Sequence, residues 1–172
     1  MPKLPIGDIG PVEVLYDYGG TSLNLSPFLG DVKITREDSI SKVFEEGYGD
    51  APVDGVFAGS VMEMETPMTR STLTQLEKML GGTLTTNALT MKNKCGSSMY
   101  DNAKAVVLKP MVDGVASETK SSWIHIYKAH PYNAWELGFA RDGQRLFLVK
   151  WMIFVSLESG FEGEFGTIGV NG

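Results

Sequence analysis

The chain has 172 residues and a mass of 18.7 kDa, the size of one domain, which can bury an adequate core without metals or disulfides. Its 15 Lys and Arg residues against 21 Asp and Glu give a net charge of −6, which argues against tight nucleic-acid binding by phosphate neutralisation. The single cysteine, Cys95, excludes an internal disulfide framework and a cysteine-based zinc finger.

The N-terminal part is predicted to contain an arm and two short strands. Residues 1–10 hold Pro and Gly among few apolar residues, which predicts a flexible arm and no export signal. Residues 12–16 and 31–36 have strand character. No apolar run is long enough for a membrane span, so residues 1–172 are expected to form one domain without a membrane anchor.

The longest irregular stretch covers residues 38–55. It contains three glycines and a proline, and its length is typical of a functional or partner-ordered loop, with an extended hairpin arm as the alternative. The spacing of its clustered carboxylates does not fit an EF-hand loop, so we expect an acidic loop in solvent and no metal site. These carboxylates belong to Glu45, Glu46, Asp50 and Asp54.

A longer strand is predicted over residues 56–68. Strict alternation places Val56, Met62 and Met64 on one face, which we expect to be core. Glu63 and Glu65 fall on the opposite face, and two carboxylates there predict that this face is wet. Ordinary amphipathic alternation explains the same pattern, so a specific role for the two glutamates stays a hypothesis.

One clear helix is predicted over residues 70–80. Thr69 or Ser71 is expected to cap it, and Gly81 to end it. Its apolar residues recur at helical spacing along one stripe, which predicts a helix lying on the outside of a sheet. This stripe consists of Leu73, Leu76, Met79 and Leu80.

The second half is predicted to be rich in strands. Residues 83–102 show no clear pattern, and the link Asp142-Gly143 is typical of a hairpin turn. The last strand, residues 145–156, is apolar on both alternating faces and therefore has to be covered on both sides. We expect a mainly β fold, an antiparallel sandwich or barrel with one flanking helix. The predicted strands cover residues 103–110, 122–130, 132–140 and 145–156.

No catalytic motif is recognisable in the sequence. The chain has neither a phosphate-binding P-loop nor a GxSxG nucleophile elbow. His125 and His130 lie five residues apart in one predicted strand, so they point to opposite faces and cannot share a metal. Cys95 has no identifiable partner base. We therefore expect no catalytic residue, no bound metal, no cofactor and no enzymatic activity.

The order of elements in the first half resembles the tail tube proteins of tailed bacteriophages. A strand around Ile34 leads into an acidic loop that ends in the sequence DAPVD, residues 50–54. A strand entered through Gly59 follows, and then a polar turn into the helix sequence TLTQLEKMLGG, residues 72–82.

The second half extends the resemblance. The sequences AKAVVLKP, residues 103–110, and WIHIYKAH, residues 123–130, are similar to two strands of the family. Residues 145–155 and 163–169 are similar to its closing strand and terminal segment, whereas residues 83–102 do not align with it.

The resemblance implies a structural protein of the virion tail. Such subunits fold as a β-sandwich or barrel with one flanking helix, form hexameric rings, and stack these rings into a tube for DNA ejection. The partners implied are other copies of the chain and the tape measure, terminator and distal tail proteins. DNA would pass without tight binding, and assembly would take place in the host cytoplasm.

Residue roles follow from this resemblance together with the charge of the chain. A DNA duct with acidic walls repels phosphates, so Glu63 and Glu65 are assigned to the lumen by hypothesis. Phe44, Tyr48 and Val53 supply apolar anchors in the long loop, which makes residues 38–55 the candidate contact between successive rings. Strand pairing between edges of neighbouring copies would close the ring.

Two alternatives remain open at this stage. A tail terminator or a secretion-tube homologue shares the fold but forms one ring or short stacks. A monomeric β-sandwich that binds carbohydrate or a host surface belongs to a different class, and it would present exposed aromatic residues on a rigid groove. The aromatic residues available for such a groove are Trp123, Tyr127, Tyr132 and Trp135.

Overall fold

The computed structural model describes residues 11–25, 31–68, 72–80, 82–91, 93, 95–137 and 147–169, with the backbone alone for residues 80, 133–137 and 147. The predicted N-terminal arm and the predicted turn at residues 141–144 lie outside the described residues. In chain order the elements are β1 (Val12–Tyr16), β2 (Leu23–Asn24), β3 (Lys33–Phe44), β4 (Pro52–Met68), α1 (Leu73–Leu80), β5 (Thr83–Leu84), β6 (Leu89–Thr90), α2 (Met99–Asn102), β7 (Lys104–Val112), β8 (Val115–Ala116), β9 (Ile124–Leu137), β10 (Phe147–Phe154) and β11 (Gly166–Ile168).

A large antiparallel sheet dominates the structure, which confirms the predicted mainly β class. Its strand order is β2-β1-β7-β9-β10-β4-β3, with β8 beside β7 and β11 beside β9. The small hairpin β5–β6 forms a separate sheet. Within the described residues the path of strands runs from β2 to β3 without closing on itself, so the sheet is not a closed barrel.

The sheet curls so strongly that distant strands pack against each other. β1 and β10 are separated by β7 and β9, which in a flat sheet would place them about 14 Å apart. The rings of Tyr16 on β1 and Trp151 on β10 nevertheless have centroids only 5.2 Å apart. The concave side therefore encloses the core in a sandwich-like way, and Met79 of α1 completes it. The buried core consists of Val14, Tyr16, Leu25, Met64, Met68, Met79, Val106, Leu108, Ile126, Ala129, Val149, Trp151 and Ile153.

The predicted helix is present, but its cap differs from the prediction. Thr72 closes the first turn, because its Oγ1 accepts from the backbone N–H of Gln75 at 3.2 Å. The predicted caps Thr69 and Ser71 and the predicted stop at Gly81 lie outside the described residues. Gln75 Oε1 in turn accepts from the backbone N–H of Thr72 at 2.7 Å, which completes a reciprocal capping box. Leu73 is exposed and Gln75 is buried instead, since Gln75 Nε2 donates to the carbonyl oxygen of Asn24.

This capping box predicts the effect of one substitution. We expect Thr72→Ala to lower the free energy of unfolding by about 1 kcal/mol, because it leaves the Gln75 N–H without its acceptor. Thr74→Ala is the matched control, since Thr74 is an exposed residue of the same helix and should change stability by less than about 0.5 kcal/mol. Urea unfolding followed by circular dichroism measures both, and equal stabilities of the two variants would contradict the role of Thr72.

Several elements of the second half differ from the sequence prediction in extent. The strand predicted over residues 122–130 and the described part of the one predicted over residues 132–140 form one long strand, β9, that continues through Pro131. Residues 83–102, which carry no clear pattern, contain β5, β6 and α2, and the Ser98 hydroxyl accepts from the Asp101 N–H to cap α2. β10 is buried on the side of Trp151 and half-buried on the opposite side, so it is covered fully on one face and partly on the other.

Candidate functional site

A hairpin arm projects from one edge of the sheet. β3 and β4 pair from Lys33 opposite Glu65 to Phe44 opposite Pro52, whereas β10 pairs with β4 only as far as Met62. The ten residues of β4 before Met62 therefore pair only with β3 and extend about 30 Å beyond the sheet. For residues 38–55, the hairpin alternative is thus confirmed. We call residues 37–61 the arm.

Two bulges in β4 change which face of the arm its side chains occupy. Between Ser39 and Ile40 the partner shifts from Gly59 to Phe57, which leaves Ala58 as an extra residue. Gly59 has φ +151°, a conformation suited to glycine. A second extra residue, Val53, lies opposite the step from Val43 to Phe44.

The first bulge overturns one prediction from alternation. Val56 pairs with Ser41 and Met62 pairs with Arg36, and these two partners lie on opposite faces of the regular strand β3. Val56 therefore lies on the face opposite to Met62, although strict alternation in β4 predicts a shared face. The extra residue in β4 is the cause, since it shifts the side-chain parity by one position.

Large apolar side chains are exposed on both faces of the arm. Phe57 is 68% exposed and Tyr48, in the turn, is 65% exposed. Among the residues predicted as inter-ring anchors, Phe44, Tyr48 and Val53 are all exposed in the outer half of the arm. Isolated surface apolar residues are common, whereas eight large ones on a single hairpin are an unusual concentration for a surface. The set comprises Ile40, Val43, Phe44, Tyr48, Val53, Val56, Phe57 and Val61.

A polar cluster lies at the base of the arm, immediately before the first bulge. Arg36 Nε donates to Asp38 Oδ1 at 2.8 Å, and Arg36 Nη2 donates to Ser60 Oγ at 3.2 Å. Ser60 also donates a hydrogen bond to Asp38. The hydrogen bond from Ser60, and next the one from Arg36, lower the pKa of the Asp38 carboxyl. Because the cluster joins β3 to β4, it follows from the pairing register of these two strands and cannot be predicted from either strand alone.

Glu63 and Glu65 lie on the face of the sheet opposite the core, as alternation predicts. The Tyr132 hydroxyl donates to Glu63 Oε1, and this hydrogen bond to a carboxylate is the main reason why the pKa of Tyr132 is raised. Lys150 Nζ lies 3.1 Å from Glu65 Oε1. Both glutamates are half-buried, and both have partners on β9 or β10.

The charge on this face is mixed. Glu65 is the cross-strand neighbour of Lys150 on β10 and of Lys33 on β3, so a lysine flanks it on each side. Glu63 has the uncharged neighbours Thr35 and Met152. Net acidity at this position therefore comes from Glu63 more than from Glu65.

The turn of the arm is acidic. A short 3-10 segment, Glu46–Tyr48, forms the bend, and Gly49 follows it with φ +61°. The four carboxylates of residues 45–54 are exposed, with Lys42 as the nearest cation along the chain. In the part of the chain that the structure describes, no three His, Cys, Asp or Glu side chains come close enough together to hold a metal ion.

Two of the aromatic residues considered for a binding groove, Trp123 and Tyr127, pack against neighbouring rings. Trp123 is only 5% exposed, its Nε1 donates to the Ser117 carbonyl at 2.7 Å, and Lys109 Nζ lies 4.1 Å from its ring centroid. His125 packs edge-on against Tyr127, and burial lowers the pKa of His125. The side chain of Trp135 lies outside the described residues, and Tyr132 hydrogen-bonds Glu63. Trp123 is therefore too buried to serve as a stacking platform.

A polar cleft of about 280 Å³ lies near the N-terminal end of β7. His130 is buried beside it, with Nδ1 at 2.7 Å from the Pro131 carbonyl oxygen. Burial, and next the charge of Asp17, raise the pKa of Tyr16 to about 12. Sequence reasoning missed this cleft because its residues come from five separate segments. The cleft is lined by Tyr16, Asp17, Lys78, Ser97, Asn102, Lys104 and His130.

Within the described ranges, no helix has both the length and the apolar character needed to cross a membrane. Comparison with models of protein families and with curated proteins finds no match for this chain.

Proposed function

We propose that the chain is a structural subunit of the phage tail tube type, which assembles with copies of itself into stacked rings around a channel for DNA. The observation that carries this proposal is the arm. Its two strands have no core of their own, and its apolar residues are exposed on both faces. A two-stranded ribbon of this kind is marginal in water, so contact with other subunits supplies the burial that it lacks.

The edges of the sheet support self-assembly as well. β3 pairs with β4 on one side only, and its other edge presents 12 residues without a strand partner among the described residues. β2, at the opposite end of the sheet, is only two residues long. Long free edges are sites of strand pairing between chains, and a closed ring removes them. We infer that lateral contacts between neighbouring copies use the β3 edge.

In this proposal the face of Glu63 and Glu65 lines the channel. On that face, turned away from the core, β4 presents Glu63 and Glu65, and β10 presents Lys150 among the half-buried apolar residues Leu148, Met152 and Phe154. Glu63 has no cation among its cross-strand neighbours, Thr35 and Met152. A duct needs only weak repulsion of phosphates to let DNA slide, because tight contacts would retain it.

The experiment that tests assembly is negative-stain microscopy of the purified chain over a range of concentrations. Hollow rods that lengthen with concentration support a tube subunit. Single rings or short stacks that never lengthen support the terminator or secretion-tube alternative. A monomer at all concentrations that is stabilised by a carbohydrate would favour a binding module, although the burial of Trp123 argues against this class.

The proposed lumen predicts a gain of DNA retention. We expect Glu63→Lys together with Glu65→Lys to leave rods intact but to make them retain short duplex DNA, because two negative charges per subunit become positive and the local charge rises by four units. Co-sedimentation of DNA with rods at low salt measures retention, and DNA ejection from assembled virions should slow down. Asp113→Lys with Glu118→Lys is the control pair, since both residues are exposed and follow β7, which β9 and β10 separate from β4. Equal retention by both pairs would remove Glu63 and Glu65 from the channel.

A further inference from the structure

The turn of the arm and the polar cleft lie at different heights along the strand direction. Lys104 on β7 pairs with Ala129 on β9, Ala129 pairs with Ile153 on β10, and Ile153 pairs with Met62 on β4. Lys104 therefore lies at the same height along the strand direction as Met62. From this height the arm extends to Pro52, ten β4 residues or about 30 Å further along.

This separation prevents contact between the two features within one chain. The turn could reach the cleft of its own chain only if β3 and β4 unpaired over the length of the arm. A contact between the turn of one copy and the cleft of the next is heterologous, because two different surfaces meet. Heterologous contacts repeat from copy to copy, which is the geometry that extends a stack.

The charges of the two features are complementary. Four carboxylates are exposed between residues 45 and 54, and no lysine or arginine lies within that segment. Lys78 and Lys104 line the cleft from two different elements, and neither forms an ion pair with another described residue. Asp17 is the single carboxylate among the lining residues, so the cleft has a net positive charge.

The shape of the turn fits such a contact too. Tyr48 is 65% exposed between acidic residues, and an aromatic ring with a polar tip is a common anchor in partly polar pockets. The cleft, about 280 Å³, is large enough for one aromatic side chain and is lined by hydrogen-bonding groups of Ser97 and Asn102.

From this complementarity we propose that the acidic turn of one copy, residues 45–54, docks in the Lys78 and Lys104 cleft of the next copy. The proposal rests on the proposed tube function and names the receiving surface for the arm. The occupant is a second copy of this chain, whose carboxylates meet the two lysines and whose Tyr48 enters the cleft.

Cross-linking with the single native cysteine provides a direct test. Cys95 is exposed and lies two residues before Ser97 of the cleft, while Gly47 in the turn has open space where a Cβ would be added. Gly47→Cys rods treated with a short bismaleimide should give a ladder of covalent oligomers, because each chain then links to the next through cysteines 47 and 95. Alternating links between like cysteines would also give a ladder, so two single-cysteine chains serve as controls. The unsubstituted chain, which has Cys95, and Gly47→Cys with Cys95→Ser should both stay monomeric, because each lacks one partner of the 47–95 link.

A charge swap tests the same contact without cross-linking. We expect Lys104→Glu to raise the critical concentration for rod formation at least about tenfold, because like charges then face each other. Lys120 is an exposed lysine outside the cleft, so Lys120→Glu should leave the critical concentration unchanged. Adding Glu46→Lys to Lys104→Glu should restore most of the assembly, which a merely destabilised subunit could not do.

The outcomes separate this proposal from the one on which it rests. Rods of normal appearance without a ladder above the dimer, or Lys104→Glu rods that form as readily as Lys120→Glu rods, would overturn docking in the cleft and leave the tube function standing. Failure of the unsubstituted chain to form any polymer would overturn the tube function and, with it, the docking.

Discussion

Removal of residues 44–53, the outer arm, should abolish rod formation and leave the rest of the chain, the body, folded. Val43 and Asp54 are direct cross-strand partners, so residues 44–53 can be replaced by Asn-Gly, which favours a tight two-residue hairpin turn. The variant lacks Phe44, Tyr48 and Val53, the three predicted anchors. We expect rods to disappear in negative stain at every accessible concentration, a loss of at least about a hundredfold in apparent association, as several exposed anchors are removed together.

The body should tolerate this deletion because the outer arm contributes nothing to the core. All residues of segment 44–53 are exposed, and none belongs to the buried cluster. The melting temperature of the monomer should stay within about 3 °C of that of the full chain, as for other surface changes.

A second hairpin supplies the matched control. Thr86 and Asn87 lie in the tight turn between β5 and β6, where the Thr85 N–H donates to the Ala88 carbonyl at 2.8 Å. Replacing these two residues by Asn-Gly changes a hairpin of the body and should leave rod formation intact. Normal rods from the arm deletion would show that the arm plays no part in stacking.

Trp151→Ala should be the most destabilising substitution in the core. Trp151 is fully buried, packs against Tyr16, and its Nε1 donates to Thr66 Oγ1 at 2.9 Å. Loss of the indole leaves a large cavity between β1 and β10, which lowers the free energy of unfolding by about 3–5 kcal/mol. Because the free energy of unfolding of a small domain is about 5–15 kcal/mol in total, the variant should be partly unfolded near 37 °C.

Trp151→Phe separates packing from hydrogen bonding. The phenyl ring keeps most of the contact with Tyr16 and removes only the indole N–H. Thr66 Oγ1 still donates to the Val149 carbonyl at 3.4 Å, so the cost should be about 1–2 kcal/mol. Urea unfolding of the monomer, followed by far-ultraviolet circular dichroism, measures both variants. An unfolding free energy of Trp151→Ala within about 1 kcal/mol of the original value would contradict the role of Trp151 as the link across the core.

The arm shows where sequence reasoning succeeds and where it stops. The length, glycines and apolar anchors of residues 38–55 predict a projecting, partner-directed element, and the structure confirms its hairpin form. The faces of its strands could not be predicted, because the bulge at Ala58 is a property of the pairing of β4 with β3 and not of β4 alone. Strict alternation therefore assigns Val56 to the wrong face.

The candidate sites divide in the same way. The position of Glu63 and Glu65 on the face opposite the core follows from period-two alternation close to β10, where the strand is regular. Their partners, Tyr132 and Lys150, lie about 70 and 85 residues away along the chain and enter only through strand pairing. The cleft of Lys78 and Lys104 has no signal in the sequence, since no motif joins its segments.

The sequence by itself determined the mainly β class, the helix after the long strand and the exposed character of the long hairpin. These depend on local periodicity and on turn residues, which act within a few positions of each other. The tertiary structure alone decided the strand order, the curl that brings Tyr16 to Trp151, the bulged faces of the arm and the positive cleft. Each of these depends on which distant strands pair and in what register, and pairing is fixed by burial over the whole chain instead of by any one segment.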